Sequence, residues 1–425
     1  LKNQLIFLLI FVFIFSKAQK TEICKCDLLK KSNDSLKDSY PKYKFKPISK
    51  RAATKPPFDF ISIKFLKKFS KSEDIIDSVE IKVNNILNKT VQDTLFGSYQ
   101  IRDSIERIEY SKKYGDIPRP RIIKTGEING AIAILYSTKK LFNPKYYLKI
   151  SNDSGKTWRN YYTGLEGNNN YLLKSNSQFP LWKGKDNIQI EANIVRQITE
   201  PLFPSRPYPE YEIVKNNVLI TLNLKEILKD SDNDGINDIE EKLVYFTNSL
   251  SEDTDNDGIN DFEDENPRYK NIDNEFTRLA EAIIFGDYNL TENSDPSMEE
   301  FIVNSKTVHE DIQKQMKSRE LDFKPREKSF LDRLDFRIII TDDENIRRIN
   351  TYGERIIFLT FKEALKHLKY SYDISPQQDY SRIFECDDIK GTYVLIFDSL
   401  ARGETYVITK TSEGWIIRIV NRWMT

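Results

Sequence analysis

The sequence predicts a multidomain, β-rich chain: a β-sandwich, a short acidic repeat, and an α+β domain ending in an antiparallel β-meander. Three observations carry this. Short stretches rich in β-branched and aromatic residues follow one another from Phe58 to Leu224, separated by Gly, Asn, Pro and Asp. Over residues 230–264 an acidic pattern occurs twice. Past Pro267 the pattern changes to helical periodicity and then to alternating strands. At 425 residues the chain has room for two or three domains, expected at 57–226, 227–268 and 269–425. With 65 basic and 65 acidic side chains it has no bias toward nucleic acid, and no nucleic-acid partner is expected.

The first 18 residues read as a secretory signal peptide. Lys2 precedes an unbroken apolar run over residues 5–15, and Ser16-Lys17-Ala18 makes a small-residue exit with cleavage after Ala18. The run is shorter than the ~20 residues of a spanning helix, so the mature chain is expected to have no transmembrane span and to be secreted, extracellular or periplasmic. Residues 19–56, rich in Lys, Ser and Pro, read as an extended basic leader. Cys24 and Cys26 lie in it as a C-x-C pair, read as a local disulfide or a site of mixed disulfides, and Cys386 is the third cysteine.

In 57–226 the stretches FISIKFL, SVEIKV, GAIAILYS, YYLKIS, NIQIEANIV and NVLITLNL argue for an immunoglobulin-like sandwich. The proline-rich residues 201–209 must be a loop, since proline cannot donate to a ladder. SNDSGKTW at 151–158 predicts a hairpin turn in which Asp153 bonds amides, Gly155 takes a positive φ and Trp158 packs back. Through Ser151, Asp153, Gly155, Thr157 and Trp158 it resembles the Asp-box of sialidase-type propellers. A propeller needs several blades, so a single copy implies the turn and not the activity.

The acidic repeat reads DSDNDGINDIEE (residues 230–241) and DTDNDGINDFED (residues 253–264). Each copy has carboxylates at positions 1, 3, 5, 9 and 12 with glycine at 6, the ligand spacing of a calcium loop. Calcium takes six to eight oxygens, so the chain must turn tightly and aim alternate residues at one point. The expected ligands are Asp230, Asp232, Asp234, the Ile236 carbonyl, Asp238 directly or through water, and Glu241. In the second copy they are Asp253, Asp255, Asp257, the Ile259 carbonyl, Asp261 and Asp264. Crowded acids opposed by one base, Lys242, repel one another unless cations neutralise them. The pair resembles the thrombospondin type-3 repeats of secreted bacterial proteins, with the pattern D-x-D-x-D-G-x-x-D-x-x-[DE], over residues 230–267 only. It departs from an EF-hand in carrying isoleucine at position 7 and Asn237 and Asn260 at position 8. The resemblance implies constitutive, structural calcium in a rigid spacer that holds two domains apart.

In 269–425, Phe276, Leu279, Ala280, Ile283 and Ile284 have the spacing of an amphipathic helix, and a second helix is expected from Met298 to Met316. FRIIIT and RIIFLT read as strands, followed by a helix through Phe361, Ala364, Leu365 and Leu368. TYVLIF, TYVITKT and WIIRIVNRW make the meander, with turns at residues 401–403 and 412–414.

No G-x-S-x-G elbow, H-E-x-x-H motif or phosphate-cradling glycine loop occurs. The two histidines, His309 and His367, fall on expected helices, and no catalytic residue is assigned. The expectation is a secreted, non-catalytic, calcium-binding modular protein with a structural or adhesive role toward a cell-surface protein or glycan. The alternative is a secreted glycan or peptide hydrolase with its site in the α+β domain, since a catalytic pair of carboxylates has no local signature.

Overall fold

The computed structural model describes residues 47–66, 114, 117–138, 144–166, 171–199, 210–286, 299–321, 330–334, 336–367, 377–386, 389–399 and 402–424. The signal peptide, most of the basic leader, Cys24, Cys26, the SVEIKV stretch and the proline-rich loop lie outside the described residues.

The chain is β-rich, with three sheets among the described residues. The first sheet has the order β1 (Ile61–Phe65), β8 (Tyr211–Asn223), β7 (Asn187–Gln197) and β6 (Tyr171–Leu173), all antiparallel. The second is a meander of β2 (Ile122–Ile128), β3 (Ala131–Ser137), β4 (Lys145–Ser151) and β5 (Arg159–Glu166). Side chains alternate across a strand, so β3 turns Ala133 and Leu135 to one side and Ile134 and Tyr136 to the other. Ala133, Leu135, Leu148 and Ile150 of the second sheet share a buried cluster with Ile188, Ile190, Val218 and Ile220 of the first. Ile134 and Tyr136 are also fully buried, but in a different cluster. Burial on both faces explains why GAIAILYS is a continuous apolar run.

The third sheet is mixed. Its order is β11 (Ile356–Leu359), β10 (Arg337–Ile340), β12 (Gln377–Tyr380), β14 (Thr392–Ser399), β15 (Arg402–Lys410), β16 (Gly414–Met424) and β9 (Glu299–Asn304), with β13 (Phe384–Glu385) also on β14. β10 runs parallel to β11 and β12; the other pairs are antiparallel. The helices Glu275–Phe285 and Val308–Leu321 cover one face. Leu279, Ala282 and Ile312 pack there with Ile339, Phe358, Ile408, Trp415 and Ile417. The first helix is started by a capping box, in which Asn274 accepts from the amides of Phe276 and Thr277 while the Thr277 hydroxyl accepts from the Asn274 amide.

One expected element is different. The second helix begins at Val308, and the residues just after Met298 form edge strand β9, paired with β16 from Gly414 to Ile419. The strands β2, β5 and β6 were not anticipated from the sequence.

Side chains of residues 227–268 pack against both the second and the third sheet. Ile236, Val244 and Tyr245, each at most 3% exposed, share one cluster with Ile134, Tyr136, Tyr147 and Tyr162 of the second sheet and with Ile338, Ile340, Ile357 and Leu359 of the third. Fully burying such a side chain is worth about 1.5–3 kcal/mol. Ile236, Val244 and Tyr245 therefore contribute to a core shared by the second and third sheets.

Candidate metal centre

The chain leaves β8 through a one-turn helix, Leu224–Ile227, capped by Asn223, and enters the first loop. The two loops close alike. The Asp238 amide donates to the Lys229 carbonyl at 2.9 Å, and the Asp261 amide to the Glu252 carbonyl at 2.9 Å. Asp230 Oδ1 accepts from the Asn233 amide at 2.8 Å; Asp253 accepts from the Asn256 amide at 2.7 Å and the Gly258 amide at 2.8 Å. This winding places Asn233 and Asn256 at φ 66° and 60°, and Gly235 and Gly258 at 104° and 99°. Asparagine tolerates the first conformation, whereas the second suits glycine, which accounts for D-N-D-G in both copies.

Ligand oxygens of Asp230, Asp232 and Asp234 lie within 4.8 Å of one another, and so do those of Asp253, Asp255 and Asp257. A third set joins the copies: Asp234 and Glu241 of the first with Asp261 of the second. Five carboxylate oxygens in the repeat are buried without a hydrogen-bond partner among the described residues: Asp232 Oδ2, Asp234 Oδ2, Glu241 Oε2, Asp255 Oδ2 and Asp264 Oδ2. They belong to positions 3, 5 and 12 of the first loop and 3 and 12 of the second. Buried polar atoms are almost always satisfied, so a set of acceptors left open at these positions fits a cation.

The electrostatics agree with the burial. Burial, reinforced by neighbouring carboxylates, raises Asp234 to about 7, Glu241 to about 9, Asp255 to about 7 and Asp264 to about 6. Asp230 and Asp261 are raised for the same first reason. At Asp253 burial also pushes upward, but the amides of Gly258, Asn256 and Asp257 outweigh it and the carboxyl is lowered.

The two position-9 residues differ from each other. Asp238 accepts from the Ser231 amide and hydroxyl at 2.8 Å each and from Lys229 Nζ at 2.6 Å, so it braces the loop and is neutralised by a base. Asp261 accepts from the Thr254 amide at 2.9 Å and hydroxyl at 2.6 Å, and has the third acidic set as its neighbour. The carboxyl of Asp264 is buried and acts on Asp255, so the shorter side chain does not remove it from the second loop. Ile236 is buried in the interdomain cluster, while Ile259 is 47% exposed.

Residues outside the ligand pattern fasten each loop to a different half. The Asn237 amide donates to the carbonyls of Tyr162 and Ile227 at 3.0 and 2.9 Å and accepts from the Tyr162 amide at 3.2 Å, which ties the first loop to β5. Beside it, Tyr147 donates to buried Glu240 at 2.8 Å, and burial raises that acid to about 7. On the other side Arg355 donates to the carbonyls of Asp261 and Phe262 at 2.6 and 2.9 Å and lies 4.4 Å over the Tyr245 ring. Arg333 donates to the Phe262 carbonyl at 2.8 Å, and the Ile356 amide to the Glu265 carbonyl at 2.9 Å. The asparagine at position 8 was a visible signal, since it stands where a paired EF-hand has an apolar residue; the arginines carried none.

The hairpin at 151–158 joins β4 to β5. Asp153 accepts from the amides of Lys156 and Thr157 at 3.0 and 2.9 Å and from the Thr157 hydroxyl at 2.6 Å. These bonds, with Thr157 first, hold its carboxyl well below the usual range. Gly155 has φ 89° and Trp158 Nε1 donates to its carbonyl at 3.1 Å. These bonds of Asp153 all lie within the turn.

Comparison with protein-family models, curated proteins and solved structures returned no match. A groove at the edge strand β2, lined by Tyr114, Arg119, Ile122, Lys124 and Ser175 among others, has no carboxylate among its described lining residues. No helix among the described residues is long and apolar enough to cross a membrane. Cys386 is buried and disulfide-bonded, its partner lying outside the described residues.

Proposed function

We propose that this is a secreted calcium-binding modular protein in which bound calcium locks an immunoglobulin-like sandwich against the C-terminal α+β domain, giving a rigid body for adhesion to a cell-surface protein or glycan. The observation that carries the metal assignment is the set of five buried, unpartnered carboxylate oxygens at loop positions 3, 5 and 12. Asp230, Asp232, Asp234 and Glu241 would hold one ion, and Asp253, Asp255, Asp257 and Asp264 the other. Calcium suits this all-oxygen, multi-carboxylate arrangement, whereas magnesium retains water and demands an octahedron. The resemblance to thrombospondin type-3 repeats and the signal-peptide pattern support an exported setting, where calcium is plentiful. The structural role differs from a spacer because the loops share a core with both halves.

Calcium titration of the purified chain by calorimetry, beside magnesium, tests the reading. Saturable calcium binding with a raised thermal midpoint is expected, and equal binding of both ions would overturn it.

A further inference from the structure

We infer that the cation of the first loop is completed from the second: Asp261 ligates it together with Asp234 and Glu241, so the two repeats form one joint site. This rests on the calcium reading above. The ligand oxygens of the three residues lie within 4.8 Å of one another. All three are at least nine-tenths buried, at 8%, 0% and 1% exposure for Asp234, Glu241 and Asp261. Asp234 Oδ2 and Glu241 Oε2 are the open acceptors of that set. Each has one open oxygen, because Asp234 Oδ1 accepts from the Ile236 amide at 2.7 Å and Glu241 Oε1 from the Thr247 hydroxyl at 3.2 Å.

The first loop alone is short of donors. Its own position-9 residue, Asp238, is held by Lys229 and Ser231. Glu241 has one oxygen engaged by Thr247, so it offers less than the two free oxygens of a bidentate ligand. Calcium takes six to eight oxygens, and Asp261 is the carboxylate beside the gap. Among the described residues no lysine or arginine side chain forms a salt bridge with Asp261, in contrast to Asp238 with Lys229. A carboxylate buried to that degree needs a cation, and the first loop's ion supplies it.

Thr254, which stands between the second-loop ligands Asp253 and Asp255, holds both oxygens of Asp261 in the ion-free fold, so this ligand of the first loop's ion is in place before either ion binds. Arg355 grips the carbonyl of the same Asp261, so the joint site also includes the docked position of the C-terminal half.

The test places Asp261→Asn in two backgrounds of the full chain and reads calcium affinity by calorimetry. In Asp255→Asn/Asp257→Asn, which disables the second loop, the further Asp261→Asn change should weaken the remaining ion about tenfold or more. In Asp230→Asn/Asp232→Asn, which disables the first loop, the same change should alter the remaining ion by less than about threefold. Asparagine keeps the size of the side chain and its bond from the Thr254 amide, and circular dichroism checks the fold of each variant. No effect in the first background, or the large effect only in the second, overturns the joint site while leaving calcium binding intact. Absence of calcium binding by the unmutated chain overturns the calcium reading itself.

Discussion

Arg355, at the start of β11, donates to the backbone carbonyl of Asp261 at 2.6 Å, fixing the C-terminal half to the second acidic loop through a buried guanidinium. The same group reaches the Phe262 carbonyl and covers the Tyr245 ring. Its carbonyl partners sit in the backbone of the proposed calcium loop, so calcium bound there would act on the same few atoms as the contact with β11.

Replacing Arg355 with alanine should therefore destabilise the chain by about 3 kcal/mol, because two charge-assisted bonds are lost and the Asp261 carbonyl loses its guanidinium donor, while Arg333 still serves the Phe262 carbonyl. Chemical denaturation in saturating calcium measures it. A change below about 0.5 kcal/mol, the size expected of a surface substitution, would sink this account of the contact.

Chelation should loosen the repeat and the seam together. Hydrogen exchange in chelator is expected to rise over residues 230–264 and in β10 and β11, whose outer side chains Ile338, Ile340, Ile357 and Leu359 belong to the shared core. Amides of β7 and β8, in the separate core shared by the first and second sheets, should stay protected. Uniform loss of protection, or none, would contradict the placement of the loops between two independently cored halves.

Calcium affinity should rise with pH. In the ion-free protein Asp234 and Asp255 titrate near 7 and Glu241 near 9, and each must give up its proton to ligate. Because these folded-state values lie above those of the unfolded chain, the ion-free fold is favoured by protonation. It loses stability as pH rises from the ordinary carboxylate range toward about 9. Calcium cancels that loss. Calorimetry in buffers of different ionisation heat should show proton release on binding near neutral pH; a pH-independent affinity between about 6 and 8 would refute the assignment.

Asp234→Ala and Asp153→Ala should separate cleanly. The first removes an open ligand oxygen and should weaken calcium binding at least tenfold. The second removes a carboxylate that serves the 151–158 turn and should lower the thermal midpoint slightly with unchanged calcium affinity. Altered calcium binding in Asp153→Ala would show that the hairpin is coupled to the loops.

Much of this was readable along the chain. Spacing in a twelve-residue loop is set by local backbone winding, so the grouping of Asp230, Asp232 and Asp234 and the positive φ of Gly235 follow from position alone. The same holds for the 151–158 turn and for strands such as β3 and β8, whose residues are apolar over long runs. What the sequence could not carry depends on partners distant in the chain. Residues 299–304, with two glutamates, have no strand pattern of their own and become β9 because β16 offers an edge. β5 contains Gly164 at φ 72°, a residue and conformation that weaken any strand signal.

The two position-9 aspartates make the division sharpest. Spacing assigned Asp238 and Asp261 the same role, one in each loop. Asp238 takes a lysine from its own loop entrance, a local pairing, whereas tertiary structure brought Asp261 beside Asp234 and Glu241, because Arg355 and the shared apolar core hold the second loop against the first. Which carboxylates an ion can reach follows from local winding, but which of them remain unneutralised and adjacent is decided by packing between segments that have no fixed relation in sequence.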